Sequence, residues 1–290
     1  MNQVITTPGI YAIPHDDYHK DCVIEPSLSA SIANILLTRS PAHARQAHPR
    51  LNPDYAPEED SRFDLGSAAH ALLLERDGSR IAWVEADDWR SANARAARID
   101  ARAGGLLPVL ARYQPVMREM VRVAHETIER SEFAGIFTRG KPERTLAWQD
   151  DGIWCRSRVD WLTDDHATIL EYKSTANASF GFFSRQIGNM GYDLQAEFYR
   201  RGLAALGLND NPVQIILAQE IEPPYACALY TLSNAFIEVA QHKVERAVQT
   251  WRMCMQSGLW PAYGTGIAVI DPPAWEANAH LQRLEMEANT

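Results

Sequence analysis

Cysteine is sparse in this chain. Cys22, Cys155, Cys227 and Cys254 stand singly, with no CxxC spacing to bring two thiolates from one loop to one metal. That speaks against a zinc ribbon and a disulfide framework alike, and lone cysteines of this kind read as small core residues. No run of roughly eighteen apolar residues is present to cross a bilayer, and Met1-Asn2-Gln3-Val4 lacks the basic start and apolar stretch of a leader peptide. The expectation is a cytoplasmic protein with no membrane partner. Positive charge is also short: the net charge is -9, the wrong sign for a protein that coats nucleic acid by bulk electrostatics. A local basic channel stays compatible with that balance, and Lys20, Arg39, Arg45 and Arg50 crowd the N-terminal region together with four histidines. Internal repeats and low-complexity tracts are missing, while 46% hydrophobic residues is an ordinary globular share.

Along the chain, Gly9 to Pro14 reads as a short extended segment. A helix is expected from Ser27 or Ser29, with Ile32, Ile35 and Leu36 at helical spacing, and Pro41 ends or restarts it. Leu51 to Arg62 reads as a loop. From Leu65 the small residues Gly66-Ser67-Ala68-Ala69 open a helix suited to close approach. After a strand at Ile81 to Val84, the span from Asp88 to Glu132 reads as a helical insertion, one short and one long helix split by Gly104-Gly105 and Pro108. The period then changes. Arg144 to Gln149, Ile153 to Leu162 and Ala167 to Lys173 read as three antiparallel strands separated by turn sequences. Phe180 to Gly207 is helical, Val213 to Glu220 and Ala226 to Leu232 are strands, and Ser233 caps a long final helix to Ser257. The fold class is α/β: a central mixed sheet with helices on both faces, and a helical N-terminal third around the mouth of the site.

Alternation in a strand puts Glu171 and Lys173 on one face and Tyr172 on the other, and antiparallel pairing can bring Asp160 beside them. Two carboxylates and an ammonium on one spot suit phosphodiester hydrolysis: hard oxygens hold Mg²⁺, and the lysine orients water and stabilises growing charge. An exposed strand with alternating charges explains the same residues without chemistry. Glu143 opens the first strand and can supply a third carboxylate, with Glu132 and Asp150 as competitors. His70 sits among small and apolar residues, where an imidazole is paired or coordinated. Gln195 and Tyr199 share a helix face. Trp148, Trp154 and Trp161 read as sheet packing. Arg156 and Arg158 alternate toward Asp160, as phosphate contacts or as surface ion pairs.

In order, Gly66 to His70, Glu143, Arg158-Val159-Asp160, Glu171-Tyr172-Lys173 and Gln195-Ala196-Glu197-Phe198-Tyr199 resemble the serial motifs of the PD-(D/E)XK nuclease superfamily in its RecB-like branch. Within it the chain is most similar to the nuclease domain of the RecE-type phage or prophage exonuclease, exodeoxyribonuclease VIII, from about Gly9 to about Trp260. The resemblance implies a restriction-endonuclease-like core in a single nuclease domain over 1–290: a mainly helical part over 1–135, the core over 136–260 and a tail over 261–290. It implies a metal shell of His70, Asp160, Glu171 and the Tyr172 carbonyl, with Lys173 catalytic and Gln195 and Tyr199 bracing the site. It further implies Mg²⁺, with Mn²⁺ able to substitute, and resection of linear double-stranded DNA, 5' to 3', in a bacterial or phage-infected cell. A single-strand annealing protein and a ring-like homo-oligomer, trimer or tetramer, are the implied partners. With Cys227 and Cys254 isolated, no iron-sulfur cluster is expected. The alternatives are an endonuclease or single-strand nuclease using the same site, and a non-catalytic scaffold binding DNA ends.

Overall fold

The computed structural model describes residues 4–56, 64–76, 78–264 and 266–288. The chain opens with β1 (Gly9–Tyr11), a single-turn α1 (His15–His19) and β2 (Leu28–Ser29). It continues into α2 (Ala30–Thr38) and α3 (Pro41–Ala47). The serines set these helix starts, since an N-cap hydroxyl takes up one of the first N–H groups that the helix leaves unpaired. Ser29 Oγ accepts from the Ile32 N–H, and Ser40 Oγ from that of His43, with Pro41 in the first turn. The expected loop from Leu51 is irregular up to residue 56, and the remainder of that reading lies outside the described residues.

Next comes α4 (Asp64–His70), which widens into a π-helical turn over Ala71–Glu75. β3 (Ile81–Val84), α5 (Ala92–Ala103), β4 (Leu107–Leu110) and α6 (Gln114–Glu129) follow. The insertion is therefore not all helical, as the sequence reading had it. β4 pairs in parallel with β3, Pro108 opposite Ala82. A two-stranded ribbon has free edges on which proline's missing N–H costs little.

The main sheet carries β5 (Gly140–Asp150), β6 (Ile153–Thr163) and β7 (Thr168–Thr175), then α7 (Phe180–Met190) and α8 (Tyr192–Ala205). β8 (Val213–Glu220), β9 (Cys227–Tyr230), α9 (Asn234–Ser257) and α10 (Ala274–Ala288) complete the chain. Strand order is β1-β5-β6-β7-β8-β9, with β2 alongside β6. The β5-β6-β7 meander is antiparallel, and α7 and α8 form the crossover that makes β8 parallel to β7. α10 lies in the stretch read only as a tail, and it buries no side chain.

Each sheet face has its own core. On one, α2, α3, α8 and α9 cover Leu146, Trp148 and Val159 with Phe198 and Trp251. On the other, α4 and α6 cover Trp161, Leu170 and Leu217 with Met117 and Met120. Trp148, Trp154 and Trp161 are all buried, as packing rather than exposed stacking surfaces. Among the described residues no helix is long and apolar enough to cross a membrane.

Candidate active site

The β6–β7 ladder is short, joining only Trp161 to Leu170 and Leu162 to Ile169. Beyond those pairs the strands part, and a side chain fills the fork: Asp160 Oδ2 accepts the Tyr172 N–H at 2.9 Å. On β7 the alternation sends the Tyr172 ring into the α6-side core, where its phenol donates to Gln219 Oε1 at 2.8 Å. Glu171 and Lys173 therefore face α8. Lys173 Nζ donates to Glu171 Oε1 at 2.6 Å, and Gln195 Nε2 donates to the same oxygen at 2.9 Å. The Tyr199 hydroxyl lies 2.9 Å from Glu171 Oε2 and 2.8 Å from the Arg158 carbonyl, with one proton to share, and accepts from Gln195 Nε2 at 2.6 Å. Glu171 is thus clamped by three donors from two elements.

A second cluster sits beside it. His70 Nε2 is 3.2 Å from Asp160 Oδ1 and 3.4 Å from Glu143 Oε1. α4 can bring His70 there because Gly66 is bare: a Cβ at Gly66 would stand 2.4 Å from Ser174 Oγ and 3.1 Å from Ser174 Cβ. Glu143 has φ of +56°, an uncommon backbone for a residue with a Cβ, at the one unpaired position between Pro142↔Trp161 and Arg144↔Val159. Arg158 forms an ion pair with Glu143 and donates to the Ile13 carbonyl at 2.6 Å.

The charges respond to this crowding. Burial pushes Glu171 up, the Asp160 charge adds to it, and Lys173 restrains the rise, leaving it at about 7. For His70, burial opposes the imidazolium, but the carboxylates of Asp160, Glu143 and Glu171 outweigh it and lift the group to about 9. Burial would likewise raise Asp160, yet His70, Lys173 and the Tyr172 N–H hold it below the ordinary aspartate value. Lys173 loses to burial but gains more from Glu171 and Asp160, so it stays an ammonium.

His70, Glu143 and Asp160 each offer one ligand atom, all within 4.8 Å of one another. Two hard carboxylates and one imidazole that repel or share protons when bare fit a divalent cation. The grouping joins His70 and Asp160 with Glu143, the third carboxylate the sequence offered, whereas the oxygens of Glu171 are engaged by Lys173, Gln195 and Tyr199.

Arg156 is elsewhere than expected. It is 3% exposed, forms an ion pair with Asp21 at 3.0 Å and donates to Ser27 O and Oγ at 2.8 and 2.7 Å, so it is not a surface phosphate contact. Arg158 does reach the cleft, already paired. Of the N-terminal basic group, Arg50 bonds the Val23 and Ile24 carbonyls, while Lys20, Arg39 and Arg45 are exposed outside the cleft. Two histidines from that region, His15 and His19, line it. The cleft, about 860 Å³, has Glu143, Asp160, Glu171 and Lys173 on one wall and Ser31, Asn34 and Tyr192 among its other lining residues. Sequence reading missed Tyr192, although it stands three residues before Gln195 and seven before Tyr199, on the same helix face.

No curated protein matches the chain. A solved structure from Eubacterium rectale, described as an inferred exonuclease, superposes with a TM-score of 0.56 at 13% identity, covering 89% of this chain and 92% of that one; the likeness is one of fold. A second, SSO0001, overlaps at a TM-score of 0.25 and 11% identity over 65% of this chain and 87% of that chain, too little to bear on the fold. The family model of the PDDEXK-like domain of unknown function (DUF3799) matches residues 31–272, and the chain belongs to that family.

Proposed function

We propose that this protein is a divalent-metal-dependent DNA exonuclease, with Mg²⁺ as its ion and Mn²⁺ able to replace it. The observation that carries the reading is the joining of two clusters: a carboxylate–imidazole set that suits a cation, and an adjacent Glu171 clamped by Lys173, Gln195 and Tyr199. His70, Glu143 and Asp160 would hold the ion, and the resemblance adds Glu171 and the Tyr172 carbonyl as further ligands. Bound there, the cation would supply Lewis-acid charge to a phosphate oxygen and lower the pKa of water.

The chain's own groups do the rest. Lys173, kept charged by Glu171 and Asp160, is placed to stabilise charge that develops on the phosphate in the transition state. Gln195 and Tyr199 contact both oxygens of Glu171 and so orient the carboxylate. A cleft of about 860 Å³ offers room for a strand end and flanking nucleotides.

Within this reading we assign the chain to the RecE type, on its motif order: it would resect linear double-stranded DNA 5' to 3', as a ring-like homo-oligomer, for a single-strand annealing partner. Linear duplex DNA labelled at either the 5' or the 3' end, compared with a closed circle, tests it. Early release of the 5' label with the circle spared supports the assignment. Early release of the 3' label reverses the polarity, and nicking of the circle makes the protein an endonuclease.

A further inference from the structure

Resting on the nuclease reading, we infer that Tyr192 is a positioning residue for Lys173: its ring face holds the catalytic ammonium in place when the carboxylate partner is drawn elsewhere. Lys173 Nζ meets two groups of opposite kind. One is Glu171 Oε1 at 2.6 Å, the other the Tyr192 ring, whose centroid is 4.8 Å from the nitrogen. An ammonium at that distance is attracted by the negative face of the ring, and the attraction grows where water is excluded. Lys173 is only 18% exposed at its side chain.

The two partners behave differently during a reaction. Glu171 Oε1 is also the oxygen that Gln195 holds, and any cation that Glu171 binds competes with the ammonium for it. The ring face holds the ammonium without using any carboxylate oxygen, so it can fix the lysine through changes in Glu171. Tyr192 is itself well anchored. Its ring lies tilted against that of Phe183 at 6.1 Å between centroids, and it packs against the buried cluster that holds Phe183, Ile187 and Ile216. It opens α8 directly after Gly191, whose φ of +72° allows the sharp α7–α8 junction, and a Cβ there would meet Asn34 Oδ1 at 2.8 Å. Tyr192, Gln195 and Tyr199 thus form one face of α8, which presents a ring to Lys173 and then an amide and a phenol to Glu171.

Two variants separate this role from simple packing. Tyr192→Phe keeps the ring face, and Tyr192→Leu keeps apolar volume without it. In steady-state digestion, Tyr192→Leu is expected to lower kcat by about 5- to 30-fold with KM unchanged, a loss on the scale of one desolvated cation–π contact, and Tyr192→Phe to restore it to within about twofold. A second readout needs neither metal nor turnover. The chain has only four lysines, Lys20, Lys141, Lys173 and Lys243, so a lysine-labelled sample gives few ε-methylene signals. The Lys173 signal, identified by Lys173→Arg, is expected to be ring-current shifted in the native protein and in Tyr192→Phe, and to lose that shift in Tyr192→Leu. An unshifted Lys173 signal in the native protein, or equal kcat in Tyr192→Leu and Tyr192→Phe, overturns the inference. If the ring-current shift follows the ring while the native protein cuts no DNA, the positioning contact stands and the nuclease reading is what fails.

Discussion

A carboxylate that faces another carboxylate and an imidazole has to be restrained, and Glu143 is restrained by Arg158 on one side and an unusual backbone on the other. Without a cation, the cluster relies on a shared proton instead. His70 at about 9 in the fold, against an ordinary 6.5, contributes stability that is fully present below pH 6.5 and is lost as pH rises toward and through 9. Glu171, raised from 4.5 to about 7, acts in the same direction between those two values, since the fold disfavours its charged form. The melting temperature of the metal-free protein is therefore expected to fall between pH 6.5 and 9 through His70, and the decline to flatten in His70→Asn. Because a cation must displace that proton, affinity for Mn²⁺ should rise over the same interval, measurable by titration calorimetry. A pH-independent affinity would remove His70 from the shell. At the neighbouring clamp, Gln195→Ala or Tyr199→Phe should each cost about 10- to 100-fold in activity, the usual scale for groups that orient a ligand. Arg156 gives the opposite expectation: Arg156→Ala removes the closest guanidinium from the buried Asp21 carboxylate, leaving it to His48 and Ser27, and should destabilise the fold by about 3 kcal/mol in chemical denaturation. A fully stable variant with weakened DNA binding would return Arg156 to the surface role that the alternation suggested.

At the scale of elements, the site depends on close approaches. α4 delivers His70 only because Gly66 lies against Ser174 of β7. Gly66→Ala is expected to cost about 1–3 kcal/mol through overpacking, and Gly66→Ala combined with Ser174→Gly to recover part of it, a coupling that thermal denaturation can read. Additive losses would mean that the two elements do not touch as described. The same locality explains what could be read from sequence. Ser29, Ser40 and Ser233 cap helices where local chemistry demands, and the β5-β6-β7 meander follows from alternation and turn residues. The candidate residues from Gly66 to Tyr199 could be picked from sequence because each motif is a few residues on one element. β4 was not legible, since Pro108 reads as a breaker and its partner β3 lies across α5. Nor was the fate of Arg156: alternation assigns a face, but Asp21 and Ser27 arrive from the N-terminal segment to cover it. Glu143 could be picked as a third carboxylate, yet its place beside His70 depends on a backbone with positive φ that no residue pattern announces.

The whole molecule carries a net charge of -9, and its cleft gathers Glu75, Glu143, Asp160 and Glu171 beside cations already paired to them. A polyanion meets little net attraction there unless a divalent cation offsets the carboxylates. Binding of DNA ends should accordingly weaken when EDTA replaces a divalent ion, and end binding indifferent to EDTA would place the contact surface outside the cleft. The central claim is that this cleft cuts phosphodiesters with a metal and Lys173. Digestion of linear duplex DNA with Mg²⁺ or EDTA, comparing the native protein with Lys173→Ala, tests it most directly. The account predicts Mg²⁺-dependent loss of the duplex, slower by about 10²–10³-fold in Lys173→Ala, the scale for removing one group that stabilises transition-state charge. Intact DNA under every condition, with ends still bound, would contradict it and leave a PDDEXK-like fold that holds DNA without cutting it.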